Sequence, residues 1–546
     1  MGLLHRVEMR VRWSSTLRKG LGQSLPFPTR VFQTFNLTSF TDEEIKSAFS
    51  KIDTNHDGYI SRDEVHAALR DNTSLCAAEA DTFADEVWAA YHKENDEDND
   101  DVKEETKHRE KIVQISLQDF SERTKTLAST IDRRVWPIAG SFLAAGCSIG
   151  VILPVLPQLV TSLGVGAQGY GLCVGAFACA KLMGNVPAGV LVERWGRRPF
   201  LVWGNLAIGA SLAGLAFASS FEHVLVCRAL TGVSVAGFLT AATLYLSDIS
   251  TPLNRAQTLA PPTTAFSAGA AIGPAIGGVL GQHVGFSAMF GAIGASFACI
   301  AIGSHLFITE TMNPGVAEEG AGTRGGGGTG GGGGTGGTGG TGGRAIVQQW
   351  KHIVEDPRCR NVLIINGAFW YVLSGTQMTL MPLLLVGPTF GLTSSAVGGV
   401  FAFTSVINVL GTQPVAKMLD KFGKPKIIVA ACAVIGAAMG AAPFVDTFEQ
   451  FLVLVFAWTA AGTALSAGPT SYIADIVEST ERSQALALLR TVGDVGMVTG
   501  AVVSGAVAGQ LGEQSAMQLN GLVLLGLTSF AGLRLGSTLM NIHGKK

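Results

Sequence analysis

A chain of 546 residues that is 47% hydrophobic and only 15% charged, with a mean hydropathy of +0.35, is not a single soluble domain; it has the composition of a polytopic membrane protein with soluble additions. A net charge of -2 recommends no nucleic-acid partner. The eight Cys stand as singles, mostly inside apolar runs (Cys147, Cys173, Cys179, Cys227, Cys299 and Cys432), which suits buried reduced thiols rather than a disulfide framework or a zinc site.

Residues 1–35 carry Arg6, Arg10, Arg12, Arg18, Lys19 and Arg30 against only Glu8, with Leu4, Val7 and Val11 at helical spacing. The segment reads equally as a mitochondrial transit peptide, which would place the chain in the mitochondrial inner membrane, or as a basic tail in another cellular membrane. Its Met-Gly start is no myristoylation signal, because Arg6 stands where Ser or Thr is required.

A soluble lobe follows over 36–126. From Asp53 the chain reads Asp-Thr-Asn-His-Asp-Gly-Tyr-Ile-Ser-Arg-Asp-Glu, an EF-hand calcium loop in full register. Calcium wants several hard oxygens, and the loop offers Asp53, Asn55, Asp57, the Tyr59 carbonyl, Ser61 through water and a bidentate Glu64, with Gly58 at the sharp turn. Ile45, Phe49 and Ile52 before it, and Val65, Ala68 and Leu69 after it, give two packed helices. Phe83, Val87 and Trp88, the acidic run 94–101 and Ile115-Ser-Leu-Gln-Asp-Phe120 form a degenerate second hand, with a loop too long to be regular. The acidic run taken alone is a solvated linker.

Beyond Arg133 and Arg134 the spacing changes to apolar segments of bilayer length, near 136–160, 170–192, 199–219, 223–247, 257–281 and 284–308. Six more lie near 361–386, 395–416, 425–446, 449–473, 484–509 and 516–539. The expected fold is all-α, with twelve transmembrane helices in two halves of six, 135–310 and 351–540. A Gly/Thr-rich tract at 311–350 cannot bury a core and reads as a flexible tether.

The halves are related to one another. A shift of 227 residues carries Pro187-Ala-Gly-Val-Leu-Val-Glu-Arg-Trp-Gly-Arg-Arg-Pro199 onto Pro414-Val-Ala-Lys-Met-Leu-Asp-Lys-Phe-Gly-Lys-Pro-Lys426 without a gap. The same shift carries Tyr245 onto Tyr472, Asp248 onto Asp475, Arg255 onto Arg482, Gln257 onto Gln484, Gly269 onto Gly496, Gly273 onto Gly500 and Gly278 onto Gly505. Lys and Arg are concentrated in the loops after segments two, four, eight and ten. By the positive-inside rule the termini, the lobe and the tether share the inner, cytosol- or matrix-like side, where the sequons at Asn36 and Asn72 stay unglycosylated.

Two six-helix halves with Gly189-Val-Leu-Val-Glu-Arg-Trp-Gly-Arg-Arg198 after the second helix resemble the major facilitator superfamily of secondary transporters. Arg228-Ala-Leu-Thr-Gly232 resembles that family's Arg-x-x-x-Gly motif, and the run from Gly269 through Gly273, Pro274, Gly277 and Gly278 resembles the glycine motif of its proton-coupled antiporters. The family's central Asp is Glu193 in the first copy and Asp420 in the second. The resemblance implies an inner gate. Glu193 would face the start of helix eleven near Arg482 and Gln484, and Asp420 the start of helix five near Arg255, where a helix dipole favours a carboxylate. Arg194 or Arg197 would reach Asp248, and Lys421 or Lys424 would reach Asp475, while Gly196 and Gly423 make the turns. The same charges also suit static topology anchoring.

Mid-membrane charges cost roughly 2.5 to 3.5 kcal/mol each on insertion scales, so Lys181, Arg490 and Asp494 need partners. Lys181 lies twelve residues before Glu193 and Asp494 twelve after Arg482, which puts both roughly 18 Å from the inner charges. The expectation is that they meet across the central cavity; a local Arg490–Asp494 pair on one helix is the rival arrangement. Arg228 lies farther out and is able to snorkel. Asn366, Trp370, Gln377, Asn408 and Trp458 are candidate solute contacts or helix bridges.

The functional expectation is a calcium-regulated secondary transporter of a small organic solute, not an enzyme, working by alternating access with protons as the candidate coupling ion. Nothing in the sequence calls for an obligate protein partner beside the bilayer. The competing class is a non-transporting calcium-responsive receptor on the same fold. An EF-hand mitochondrial carrier is excluded by two halves of six in place of three repeats of two, and a sugar porter is disfavoured because Ile308-Thr-Glu-Thr311 is not its loop ending.

Overall fold

The computed structural model of the chain describes residues 41–72, 84–85, 88, 115–250, 254–311, 341–478 and 481–543. The transit-peptide, acidic-run and Gly-tract expectations, and most of the second hand's entering helix, therefore lie outside the described residues. The chain falls into two compact units, one running to Trp136 and including Tyr245–Pro261, the other holding Pro137–Leu244 and everything from Pro262 onward.

In the first unit, α1 (Asp42–Ile52) starts at Thr41, whose hydroxyl accepts from the Glu44 amide at 3.3 Å. Three acidic residues in its first turn complement the helix dipole. Ile45, Phe49 and Ile52, three or four residues apart, fall on one buried stripe. The loop leads through β1 (Tyr59–Ile60) into α2 (Arg62–Asn72), which turns Val65 and Ala68 inward. β1 pairs antiparallel with β2 (Ile115–Ser116), Tyr59 opposite Ser116 and Ile60 opposite Ile115, and α3 (Leu117–Ser129) follows directly. Phe120 of α3 packs edge-on against Phe49 at 5.8 Å, and Lys125 bridges to Asp42 at 2.6 Å, so α3 closes over α1.

The membrane part begins with α4 (Val135–Ser162), α5 (Ala167–Trp195), α6 (Arg197–Gly214, extended by a 3-10 turn to Phe217), α7 (Phe221–Asp248), α8 (Arg255–His283) and α9 (Phe286–Phe307). The second set opens with α10 (Thr341–Glu355) and continues through α11 (Pro357–Val372), a π-helical stretch (Leu373–Leu380) and α12 (Met381–Val386) as one span. Then come α13 (Ser394–Phe422), α14 (Lys424–Gly440), α15 (Phe448–Ile476), α16 (Arg482–Leu511) and α17 (Glu513–His543). Among the described residues ten helices are long and apolar enough to cross a membrane. The 17-residue α14 and α17 are not among those ten, and they pack on each other and on α15 and α11 within the second set.

One boundary differs from the sequence reading. The tether does not reach residue 350, because α10 begins at Thr341. Past the glycines the chain carries Ile346, Trp350 and Ile353 at helical spacing, and Ile353 is buried with Cys359 and Leu488.

Glycine contacts repeat with the sequence. Gly269 and Gly273 of α8 lie on the α4 backbone at Leu143 and Cys147, while their counterparts Gly496 and Gly500 of α16 lie on the α11 backbone at Gly367 and Tyr371. Gly278 touches Ser394, Ser395 and Gly398 of α13, and its counterpart Gly505 touches Gly171 of α5. Each half is thus held together by two glycines, and each half reaches the other by the third. A side chain at the first two positions would drive into backbone, so Gly500→Val should lower the detergent melting temperature by an amount corresponding to about 1–3 kcal/mol of overpacking. Gly303→Ala, with open space around it, should leave melting unchanged; equal behaviour of the two variants would refute the close-packing assignment.

Candidate functional site

Lys181 on α5 and Asp494 on α16 come from different halves, and their ammonium and carboxylate meet at 2.7 Å. The carboxylate's second oxygen accepts from the Asn185 amide at 3.0 Å, so both oxygens are held by α5. Lys181 and Asn185 are one turn apart and share a helix face. Their side of α5 can approach α16 closely because Gly171 and Gly175, farther along, lie against Ala501, Val502 and Gly505. The two side chains of the pair keep 20% and 14% of their surface, which is low for charged groups and high enough for access by water or solute.

Asp494 does not pair with Arg490. Arg490 is exposed and makes no ion pair among the described residues, while the Asp494 oxygens are met by Lys181 and Asn185, so the local pair expected as the rival arrangement is not formed. Nor does Arg228 snorkel: it is 7% exposed and lies over the Phe177 ring, 4.7 Å from its centroid. Trp370 lies against Gly493, the neighbour of Asp494 in the chain, and is partly exposed; Gln377 and Asn408 are also partly exposed. Asn366 and Trp458 are buried in helix packing instead. Asn366 donates to the Leu489 carbonyl at 2.9 Å, and Trp458 packs edge-on against Phe451.

At the end of the spans that carries the basic loops, Gly196 and Gly423 both adopt the left-handed backbone, φ 94° and 89°, that stops α5 and α13 and starts the next helix. Gly189 is buried in α5. Lys424, rather than Lys421, takes Asp475, while Lys421 stacks on Phe422. Glu193 does not reach the start of α16 as expected: it makes no hydrogen bond or ion pair among the described residues, and the Gln484 side chain there accepts from Trp350 of α10 at 3.2 Å. Arg194, Arg482 and Asp420 are exposed. A carboxylate that does sit at a helix start is Glu310, which accepts from the amides of Arg197 and Arg198 at the start of α6 at 3.0 Å each. Gly196 is needed for this approach, since a Cβ there would meet the Glu310 carboxylate. Asn185 and Glu310 were not singled out in the sequence; the first is a neutral residue one turn from Lys181, and the second is 113 residues from its partner.

In the lobe, the EF loop is ordered by its own side chains. Asp57 and Tyr59 donate their amides to Asn55 and Asp57, each at 2.8 Å, and the Gly58 amide donates to one oxygen of Asp53 at 3.0 Å. Positive φ at His56 (57°) and Gly58 (83°) makes the turn. Glu64 accepts from the amides of Thr54, Asn55 and Ser61 and the hydroxyls of Thr54 and Ser61. Burial pushes its pKa up, but these donors outweigh burial and hold it below the ordinary carboxylate value. No three His, Cys, Asp or Glu side chains among the described residues form a preassembled metal cage.

The model of the Major Facilitator Superfamily matches residues 138–376 and 363–538, and an EF-hand domain matches 44–75. The chain belongs to the Major Facilitator Superfamily. Its relatives include the multi-drug resistance efflux pump PmrA of Streptococcus pneumoniae, 32% identical over 186 residues, 33% of this chain and 46% of that one. The chain thus spans about half the length of that relative. An uncharacterized MFS-type transporter, MJ1560 of Methanocaldococcus jannaschii, is 24% identical over 405 residues, 73% of this chain and 98% of that one. Among solved structures, a bacterial homolog of the human lysosomal transporter Spinster, inward-facing and occupied, shares the fold with a TM-score of 0.58 at 14% identity, covering 73% of this chain and 95% of that one. The nucleoside transporter NupG does so with 0.59 at 13% identity, covering 73% and 99%. This superfamily member is therefore a multi-pass membrane protein whose relatives are transporters, with an EF-hand domain ahead of its spans.

A double-mutant cycle on Lys181→Met and Asp494→Asn should show a coupling of at least about 1 kcal/mol in melting stability, and additive losses would show that the two groups do not interact.

Proposed function

We propose that the protein is a proton-coupled antiporter that exports a small amphipathic organic solute by alternating access, under calcium control. Counting α14 and α17 as spans gives twelve; at 1.5 Å per residue α14 covers about 25 Å, close to a bilayer's hydrocarbon core once the 3-10 turn Ala442–Phe444 that follows it is added. The observation that carries the reading is the ion pair between α5 and α16. A lone mid-membrane charge is costly, whereas a carboxylate facing an ammonium is tolerated. Protonating Asp494 removes that attraction and frees one half from the other, so proton binding and rocking of the halves become one event. Asn185 orients the carboxylate in the paired state. The absence of a Glu193 contact at the α16 start, among the described residues, suits a conformation open toward the basic loops, and the glycine contacts at Gly171 and Gly505 suit closure at the opposite end. By the positive-inside rule the open side is the inner one. Similarity to efflux pumps supports export of drug-like solutes, and a receptor on this fold would bind them without flux.

Calcium fits the lobe. Asp53, Asn55, Asp57, Ser61, Glu64 and the Tyr59 carbonyl would hold it, and the buried Asp53 Oδ1, which has no hydrogen-bond partner, is chemically suited to bind a cation. The bound ion would supply a positive centre that draws Glu64 away from its amide donors. Any resulting shift of β1 passes to β2 and α3, and α3 leads into the connector before α4. That connector is gripped by the loop between α7 and α8: the Asn254 side chain, 3% exposed, donates to the Thr130 carbonyl at 2.6 Å. Arg134, beside Tyr245, is locked on Asp132 at 2.6 Å. Asp248 and Arg255 flank the same loop.

Purified protein in vesicles tests both parts. Asp494→Asn should abolish uptake driven by a pH gradient while leaving solute counterflow, and gradient-driven uptake within twofold of wild type would remove Asp494 as proton carrier. Glu64→Gln and Asn254→Ala should each keep basal exchange and lose its calcium response; a retained response in Asn254→Ala would send the signal by another route.

A further inference from the structure

We infer that the outer side, away from the basic loops, is held shut by a two-point latch: the Tyr170 hydroxyl on the Met378 carbonyl, and the Ser394 hydroxyl on Gln158. The inference rests on the alternating-access reading above and names what holds one of its states. Residues 163–166 join α4 to α5 and residues 387–393 join α12 to α13, two loops without Lys or Arg at the end opposite the basic turns. Both contacts cross there from the first half to the second. Tyr170, near the start of α5 and 1% exposed, donates to the Met378 carbonyl at 3.1 Å. Ser394, the first residue of α13 and also buried, donates to the Gln158 side chain near the end of α4 at 2.6 Å. Leu153 of α4 and Ala167 of α5 pack against the apolar core of the second half.

A proline makes Met378 an acceptor. In a regular helix its carbonyl would receive the amide of residue 382, and Pro382 has no N–H. The backbone is already widened here. The Met381 amide reaches back five residues to the Thr376 carbonyl, and the Thr379 hydroxyl donates to the Ser374 carbonyl at 2.9 Å. A buried carbonyl without its donor is costly, and the Tyr170 hydroxyl supplies one from the other half only while the two halves touch. Once that end opens, water meets both groups, so the contact favours closure without burdening either half when they part. Packing alone does not call for these hydroxyls. The shift of 227 residues carries Tyr170 onto Val397, which is fully buried, and Ser394 onto Ala167. At those counterpart positions the packing is made by apolar side chains. Neither point of the latch carries charge, so the Lys181–Asp494 pair answers to a proton and the latch to the separation of the halves.

The test is hydrogen–deuterium exchange, read by mass spectrometry, on the full-length protein in lipid nanodiscs. It compares the outer segments 163–172 and 376–392 with the inner segments 193–201 and 420–428. One buried hydrogen bond is worth a factor of about five in an equilibrium. Tyr170→Phe should therefore speed exchange about fivefold in the outer segments and slow it in the inner ones, whereas plain destabilisation would speed both. In a Pro382→Ala background, where residue 382 again offers an N–H, the effect of Tyr170→Phe should shrink below about twofold, while that of Ser394→Ala persists. Exchange in Tyr170→Phe that is unchanged, or faster at both ends, overturns the latch; an undiminished effect beside Pro382→Ala overturns the part given to the carbonyl. If Pro382→Ala fails to fold, the opposite movement of the two ends in Tyr170→Phe decides alone, and if Tyr170→Phe fails, Ser394→Ala takes its place. Asp494→Asn is measured alongside. If it moves the two ends in opposite directions and Tyr170→Phe does not, alternating access stands and the latch falls; if neither does, both fall.

Discussion

A carboxylate and an ammonium held 2.7 Å apart between two helices of different halves is the contact on which the membrane part turns. In water such a pair contributes little; between spans, where each ion alone would be costly, it would, on the proposed mechanism, tie the position of one half to the ionisation of one residue in the other. The rest of the structure around it serves that approach. Asn185 fixes the second carboxylate oxygen, and small residues on α5 and α16 let the helices come close enough for a short lysine-to-aspartate contact. The pair exists on only one of the two faces where the halves meet; its counterpart positions are Asn408 and Ser267. The pseudo-symmetric packing is thus shared, and the chemistry is not.

Much of this was legible in the sequence, for definite physical reasons. Backbone-to-backbone approach tolerates only glycine, so the contacts of Gly269, Gly273 and Gly278 reappear as Gly496, Gly500 and Gly505 at a constant shift. Uniform rise along a helix put Lys181 and Asp494 at one depth by counting residues from the basic loops, and opposite charges at equal depth had reason to meet. The EF loop is legible because its backbone turns are made by local side-chain oxygens at fixed offsets, which the Asn55 and Asp57 contacts with following amides display.

What escaped was set by tertiary neighbours. Glu310 caps α6 across 113 residues, and no local pattern marks it. α10 hides behind a glycine tract, and its Trp350 takes the Gln484 position that the sequence had assigned to Glu193. The π-helical stretch at Leu373–Leu380 gives no sequence signal; there Asn520 of α17 donates to Thr376 and Ser504, a buried polar knot that supports the widened turn. Arg490 was offered a local partner by spacing and lost it to a better-placed lysine.

The most direct measurement of the account is the infrared signature of the Asp494 carboxyl. Difference spectra of the purified protein between alkaline and acidic solution should contain a protonated-carboxyl stretch that is missing in Asp494→Asn and shifts in Lys181→Met, because the ammonium sets how readily the carboxylate accepts its proton. A spectrum identical in wild type and Asp494→Asn would contradict the claim that this residue is the proton-dependent tie between the halves.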